Sequence, residues 1–417
     1  MTSEPPSGRH APGDFDLTHD IAGEPSSALV EQWRRSGGTA ADARRLLSGY
    51  AVEGYSVVSD SAGLTRLSER LTLLEVLALI DRPKRILHAY GRAVGGRAVG
   101  VWAADNGQMF HPAETGAATM LSALLTVQDE IRRHCQVRIG IGVHHGTFSA
   151  LAGGLCGPAA DAIEDLAENH VDGGELAVTE AVTDRLPAGH PFVLRRKDAP
   201  AHPLGAVHQV LDGPRLDDVR PVNGERYPIP YSPDLHADLL RLEERPGDAA
   251  LLAELTARHL REGTVVLAER GGVPAETPDV ALLRGLSRSA LMKETGLRLL
   301  PPRGAIEIKV AGPLAIYLFD EPQSAVCFAL RLRAALADHD VVSRIGVDTG
   351  PVLTGETPGG GRDIAGAPVN VASKMAQDLG RPGHVYLSDA LREHTGLASF
   401  VPVEKVVSGV RICFFEG

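Results

Sequence analysis

The residues "DIAGAPVNVASKM" run from Asp363 to Met375. An acid opens the stretch, the amide Asn370 follows seven positions on, and the cation Lys374 comes four positions after that. An ordinary amphipathic helix does not need that set. A ligand that carries donors, acceptors and negative charge does, because a carboxylate accepts, an amide does both and an ammonium stabilises anionic oxygen. Other residues of the same kind stand elsewhere: Asp60 in "DSAGLTRLSER", Asp105 in "GGRAVGVWAADNGQMF", Arg138 in "VRIGIG", Lys309 in "AIEIKVAG" and Lys405 near the C-terminus. Asp60 and Asp105 are hard oxygen donors of the type that divalent ions prefer.

The elements that must position these residues come twice. "VRIGIGVHHG" near 140 resembles "SRIGVDTG" near 346. "GGELAVTEAVTDRL" resembles "RPGHVYLSDALREH", with Thr179 matching Ser388 at an offset of 209. "GPAADAIED" from Gly157 lies opposite "GAPVNVASK" from Gly366, and Asp60 opposite Glu269, at the same offset. Two copies of one domain account for this. Each copy is approached by a helix, a glycine-marked turn and a second helix, and then enters a β-branched strand. "LDGPRLDDVRPVNGERYPIPYSPD" between them is a linker rich in Pro, Gly and Asp. The reading is a polar tail at 1–27, a first domain at 28–212, a linker at 213–232 and a second domain at 233–417. Alternating strands and helices in each copy imply an α/β or α+β domain.

Composition narrows the class. The 417 residues are 43% hydrophobic, enough for two or three cores. The longest apolar runs are strand-sized, and the N-terminus has no basic region followed by an apolar core, so neither a membrane span nor a secretory signal is expected. Net charge is −11, which argues against a nucleic-acid polymer as partner. Cys135, Cys156, Cys327 and Cys413 are scattered without a CxxC pair, so no zinc site or disulfide scaffold is expected and a reducing cytoplasm fits.

At this point the motifs resemble a known family, the class III nucleotidyl cyclases (adenylate and guanylate cyclases). "DIAGAPVNVASKM" is similar to the family's D-x-x-G-x-x-V-N-x-A-S-R, and "DSAGLTRLSER" to its D-I-x-G-F-T-x-L-S/T. The resemblance implies an α+β fold: two ferredoxin-like class III cyclase-type domains with βαββαβ order, paired as an intramolecular pseudo-dimer with sites across the interface. It also implies roles. Asp60 and Asp105 would hold Mg²⁺ or Mn²⁺ in a two-metal site. In an ungapped count the second metal position falls on Ala104 and on Pro313, with Asp105 one residue late. Asn106-Gly107 beside Asp105 is also a hairpin-turn signal.

Lys309 and Asp363 would read the base, the lysine donating to a ring nitrogen and the acid accepting from an exocyclic amine. That polarity suits adenine. Asn370 would orient the ribose. Lys374 stands where the family keeps an arginine for the transition state, which retains the charge and loses the planar fork. Arg138, and more loosely Lys405, would meet the triphosphate. The first copy replaces the base-reading set with Gly100, Asp161 and Asp165, so the losses are complementary. His144 and His145 match Asp348 and Thr349 and are expected to be structural or solvent-facing.

Three functions follow from the resemblance. The first is an adenylate cyclase that turns ATP into cyclic AMP and pyrophosphate at one composite site. The second is an inactive pseudocyclase that binds an adenine nucleotide or a protein. The third is a repurposed nucleotide enzyme on the same fold. A protein regulator or a second copy of the chain remains open as a further partner.

Overall fold

The computed structural model describes residues 27–68, 70–102, 106–151, 153–197, 202–216, 220–224, 227–272, 275–356, 361–393, 400–407 and 410–417. In the first half, α1 (Ser27–Arg35) and α2 (Ala40–Leu47) lead into β1 (Ala51–Ser61). Next come α3 (Leu64–Ser68), α4 (Leu73–Ala93), β2 (Arg97–Val99), β3 (Asn106–Pro112), α5 (Ala117–His134) and β4 (Ile139–Leu151). β5 (Gly154–Cys156), α6 (Pro158–His170), β6 (Leu176–Thr179), α7 (Glu180–Thr183), β7 (Val193–Arg196) and β8 (Val207–Asp212) complete it.

The second half repeats the plan. α8 (Pro233–Glu244) and α9 (Ala249–His259) lead into β9 (Leu260–Arg270), α10 (Pro278–Leu299), β10 (Ala305–Ala311), β11 (Leu314–Phe319), α11 (Pro322–Ala337) and β12 (Ser343–Glu356). β13 (Arg362–Ala365), α12 (Ala367–Ser373), β14 (Val385–Ser388), β15 (Val401–Val407) and β16 (Val410–Glu416) follow.

The two sheets have the same order. The first runs β2-β3-β1-β4-β6-β8-β7 with β5 on β4, and the second runs β10-β11-β9-β12-β14-β16-β15 with β13 on β12. In each, the four strands of a βαββαβ unit lie in the order 4-1-3-2, all antiparallel to their neighbours, which is the ferredoxin-like arrangement. β1 and β9 are central strands, and the apolar residues of each are buried on both faces. α4 starts where the sequence signals it, with a capping box between Thr72 and Glu75. Ser232 caps α8 by accepting from the Leu235 amide, and Pro233 occupies the first turn, where its missing N–H costs nothing.

Each half lends its leading helices to the other. Leu29, Trp33, Leu46 and Leu47 of α1 and α2 are buried with Val280 and Leu283 of α10. Leu235, Leu239, Leu242, Leu251 and Leu255 of α8 and α9 join the core of the first half, against α4. This reciprocal exchange makes the pair a pseudo-dimer within one chain. Burying each such side chain contributes about 1.5–3 kcal/mol, so the halves are bound mainly by apolar area. Cys135, Cys156 and Cys327 are free thiols, as their scattered positions imply.

Register corrects the sequence alignment in three places. Asp60 pairs with Gly140 where Glu269 pairs with Arg344, so along β4 and β12 the offset is 204, the same as that of His144 to Asp348. Arg138 therefore precedes the counterpart of Arg344 by two residues. β10 carries a bulge between Glu307 and Lys309, and this one extra residue makes Val99, not Gly100, the counterpart of Lys309. Asn106-Gly107 is not a hairpin turn. Both residues are paired within β3, opposite Asp60 and Ser59. Gly107 is closely packed: a Cβ there would lie 3.1 Å from the Trp102 ring and 3.2 Å from Ser59 Oγ.

Candidate active site

Lys309 and Asp363 meet. Lys309 Nζ lies 2.6 Å from Asp363 Oδ1, with the carboxylate buried and the lysine half-buried. The bulge in β10 aims Lys309, and β13 brings Asp363 beside it by pairing with Gly355 of β12. Oδ1 also accepts the Ile364 amide at 2.9 Å. A buried carboxylate held by an ammonium and a backbone N–H is fixed in orientation and keeps lone pairs for a further donor.

Gly366 follows at φ 144°, where a Cβ would be 2.8 Å from the Pro351 carbonyl, so glycine is required at the turn into α12. α12 then presents Asn370 exposed, and Lys374 begins a π-helical turn, also exposed, four residues later. That spacing sets both on one helix face. Among the described residues no ion pair involves Lys374.

Asp60 lies near the end of β1, half-buried, paired in the sheet with Asn106 and Gly140. Its counterpart Glu269 is ion-paired with Arg344, whose guanidinium also donates to the Gln377 carbonyl at 3.1 Å. The second half thus neutralises its own acid with a cation. The first half has Gly140 at that register position. Asp105 lies outside the described residues. Asn106 has the register of Leu314, so by count Asp105, and not Ala104, corresponds to Pro313. Asp60 is a suitable hard ligand for Mg²⁺ or Mn²⁺, but the described residues contain no group of three metal-capable side chains around it.

Arg138 donates from Nη1 to the Ile131 carbonyl at 2.7 Å, at the C-terminal turn of α5. Lys405 lies in β15, in register with Ile412. His144 and His145 are buried, not solvent-facing. His144 Nδ1 is 2.9 Å from Thr179 Oγ1, and His145 meets the Tyr55 ring edge-on. The equivalent pair in the second half is Ser388 donating to Asp348. Burial, then the neighbouring histidines, push the His144 imidazole down to about 4.

The pseudo-symmetric position is a cleft of about 330 Å³ lined by Cys156, Gly157, Asp161 and Glu164 of the first half and Arg270 and Gly285 of the second. Asp161 holds the place of Asn370. Burial, then Asp161 and Glu168, raise Glu164 to about 7, and burial with Asp161 and Glu164 pushes the Cys156 thiol up to about 12. Asp161 stands where the opposite site has an amide, with Glu164 beside it in the cleft, which disfavours phosphate.

Sequence reasoning missed the linker. Tyr227, Ile229 and Tyr231 are buried in the first half's core together with Leu353 of β12. Tyr227 donates to Asp81 of α4, and Arg85 and His236 also contact that carboxylate at 2.8 and 3.2 Å. The clustered aromatic residues in "YPIPY" were the available signal.

No family model matches the chain, and no curated protein matches it. Solved structures do. A class III adenylyl cyclase-like ATP-binding protein from Pseudomonas aeruginosa is 12% identical, with a TM-score of 0.50 over 83% of this chain and 85% of that one. The adenylyl cyclase CyaB from P. aeruginosa is 16% identical over 40% of this chain and 96% of its own, at 0.34. An adenylate/guanylate cyclase/hydrolase from Silicibacter pomeroyi is 21% identical over 38% and 96%, at 0.30. At those two scores neither adds to the fold assignment. The match over most of both chains, with the repeated sheets and exchanged helices, establishes the fold: two class III cyclase-type domains paired in one chain.

Proposed function

We propose that this protein binds ATP at one composite site and converts it to cyclic AMP and pyrophosphate. The observation that carries the reading is the Lys309–Asp363 pair, held at 2.6 Å in the half that also displays Asn370 and Lys374, while the other half sets Asp161 in the place of Asn370. The domains are 28–212 and 233–417, joined by 213–232, and the compartment is the cytoplasm. Among the described residues no helix is long and apolar enough to cross a membrane.

In this reading Asp363 accepts from the exocyclic amine of adenine and Lys309 donates to the ring nitrogen beside it. Asn370 orients the ribose so that its 3′-oxygen faces the α-phosphorus in line with the leaving pyrophosphate. The bond from that oxygen to phosphorus forms as the bond to the bridging oxygen breaks, and Lys374 stabilises the growing negative charge. Asp60, with Asp105, would hold the divalent ion. Such an ion would supply a Lewis acid that lowers the pKa of the 3′-hydroxyl and charge that attracts the triphosphate. Arg138 and Lys405 are assigned to the triphosphate.

A second reading has an observation of its own. The solved protein matched over 83% of this chain is named as ATP-binding and cyclase-like, and Lys374 lacks the arginine fork. Here the chain binds ATP without turnover. Incubating purified protein with each nucleoside triphosphate and Mg²⁺ or Mn²⁺, followed by product mass, separates the two. Cyclic AMP and pyrophosphate support the first reading. ADP and phosphate indicate hydrolysis, and unchanged ATP in a protein that binds it indicates the second.

A further inference from the structure

We propose that Arg344 is a positioning residue for Lys374: its guanidinium ties the π-helical turn that begins at Lys374 to the central strands of the second sheet. The inference rests on the reading that Lys374 meets the phosphates, and it adds to that reading the device that holds the cation in place.

The turn is an exception to the repeat. In the first half α6 is an unbroken α-helix from Pro158 to His170. Its counterpart α12 is α-helical only from Ala367 to Ser373, and Lys374–Asp378 forms a π turn. The Leu379 amide closes that turn by donating to the Lys374 carbonyl at 3.1 Å. A π turn is rare and displaces backbone groups from their usual helical partners, so contacts from outside the helix must hold it. Arg344 supplies one: its Nη1 donates to the Gln377 carbonyl at 3.1 Å. Ser373 donates to the Gln377 side chain, and Met375 and Ala376 are fully buried beneath the turn.

The guanidinium is itself fixed. Its Nη2 is ion-paired with Glu269, the residue opposite Arg344 in the sheet. A planar guanidinium serves two acceptors from two nitrogens in one rigid geometry, which a single ammonium does not reproduce. The first half has no room for this tie. Gly140 stands at the position of Arg344, and a Cβ there would lie 2.7 Å from the Val171 carbonyl oxygen. Only the half whose helix presents Asn370 and Lys374 therefore carries it. Among the described residues Lys374 makes no ion pair, so the placement of its backbone decides where its ammonium reaches. A small displacement of a charge that stabilises a transition state costs rate more than it costs binding.

The test uses the full chain with Mg²⁺ and 3′-deoxy-ATP, which lacks the attacking hydroxyl and is not cyclised. Calorimetry reads affinity. Peptide mass reads acylation of Lys374 by an amine-reactive ester, with and without nucleotide. In wild type the bound triphosphate is expected to protect Lys374. Arg344→Met removes both bonds of the guanidinium. It should bind the nucleotide within about twofold of wild type, while protection of Lys374 falls by about threefold or more. With ATP, kcat should fall about ten- to a hundredfold with little change in KM. Arg344→Met combined with Lys374→Ala should be no slower than Lys374→Ala alone, since the first acts through the second. Arg344→Lys keeps the charge opposite Glu269 and loses the second donor. It should lose the same protection, and it carries the test if Arg344→Met does not fold. Undiminished protection at equal nucleotide occupancy overturns the inference. So does a parallel fall in affinity, protection and melting temperature, which marks a purely structural role. If wild type binds the nucleotide and Lys374 is not protected, the phosphate assignment of Lys374 fails and takes this inference with it. If wild type binds no nucleotide, the proposed function itself fails.

Discussion

Arg344 of β12 is ion-paired with Glu269 of β9, at the register position where the first half sets Gly140 opposite Asp60. One half has thus neutralised its acid with its own guanidinium, and the other carries no side chain there. Asp60→Asn is expected to abolish divalent-ion-dependent turnover. Glu269→Gln should leave turnover in place while lowering stability by about 1–3 kcal/mol, because Arg344 loses its charged partner. Asp105→Asn joins Asp60→Asn if the two acids act as one unit. A metal titration with product mass, run beside thermal melts, checks all three. Activity that survives Asp60→Asn would remove the metal assignment.

Asp363→Ala leaves Lys309 without its partner and the base without its acceptor. The expected loss of ATP affinity is about ten- to a hundredfold, with GTP affected far less. Competition binding of the two nucleotides measures it. An equal loss for both would mean that Asp363 maintains the fold and not the choice of base.

Lys374 offers charge without a planar fork. Lys374→Arg should raise turnover, by roughly tenfold if the fork engages two phosphate oxygens, and Lys374→Ala should lower it with little change in ATP affinity. Steady-state kcat and KM for the three proteins decide. A change confined to KM would place the residue in ground-state binding.

The second cleft is lined by Asp161, at the place of Asn370, and by Glu164. One nucleotide per chain is therefore expected at neutral pH. Calorimetric stoichiometry near two would show that the acids do not exclude phosphate.

His111 is buried with neither ring nitrogen hydrogen-bonded, and burial lowers it to about 4. Its folded value lies below its unfolded value of 6.5, so the unfolded chain takes the proton first as pH falls. Stability is unaffected above about pH 6.5 and declines down to about 4, by about 3 kcal/mol from this group alone. Melting temperatures from pH 7.5 to 4.5 should fall for wild type and fall less for His111→Phe. Parallel curves would assign acid sensitivity to other groups.

Much was legible in the sequence because it depends on local pattern. The duplication and the helix pairs before β1 and β9 follow from residue type and spacing, and the resemblance to the class III cyclases implied the βαββαβ order that the sheets show. Register was not legible. A bulge at Glu307–Lys309 and the different lengths of the β2–β3 and β10–β11 turns shift Lys309 onto Val99, because cross-strand hydrogen bonds choose the partner and alternation does not record an extra residue. The Arg344–Glu269 pairing, the reciprocal packing of the leading helices and the passage of Tyr227–Tyr231 between the halves are contacts between distant segments. Composition marked that linker as a connection. Only the tertiary structure shows its aromatic residues to be packed core, since apolar and aromatic side chains gain their free energy from the surface they cover and the sequence does not state which surface that is.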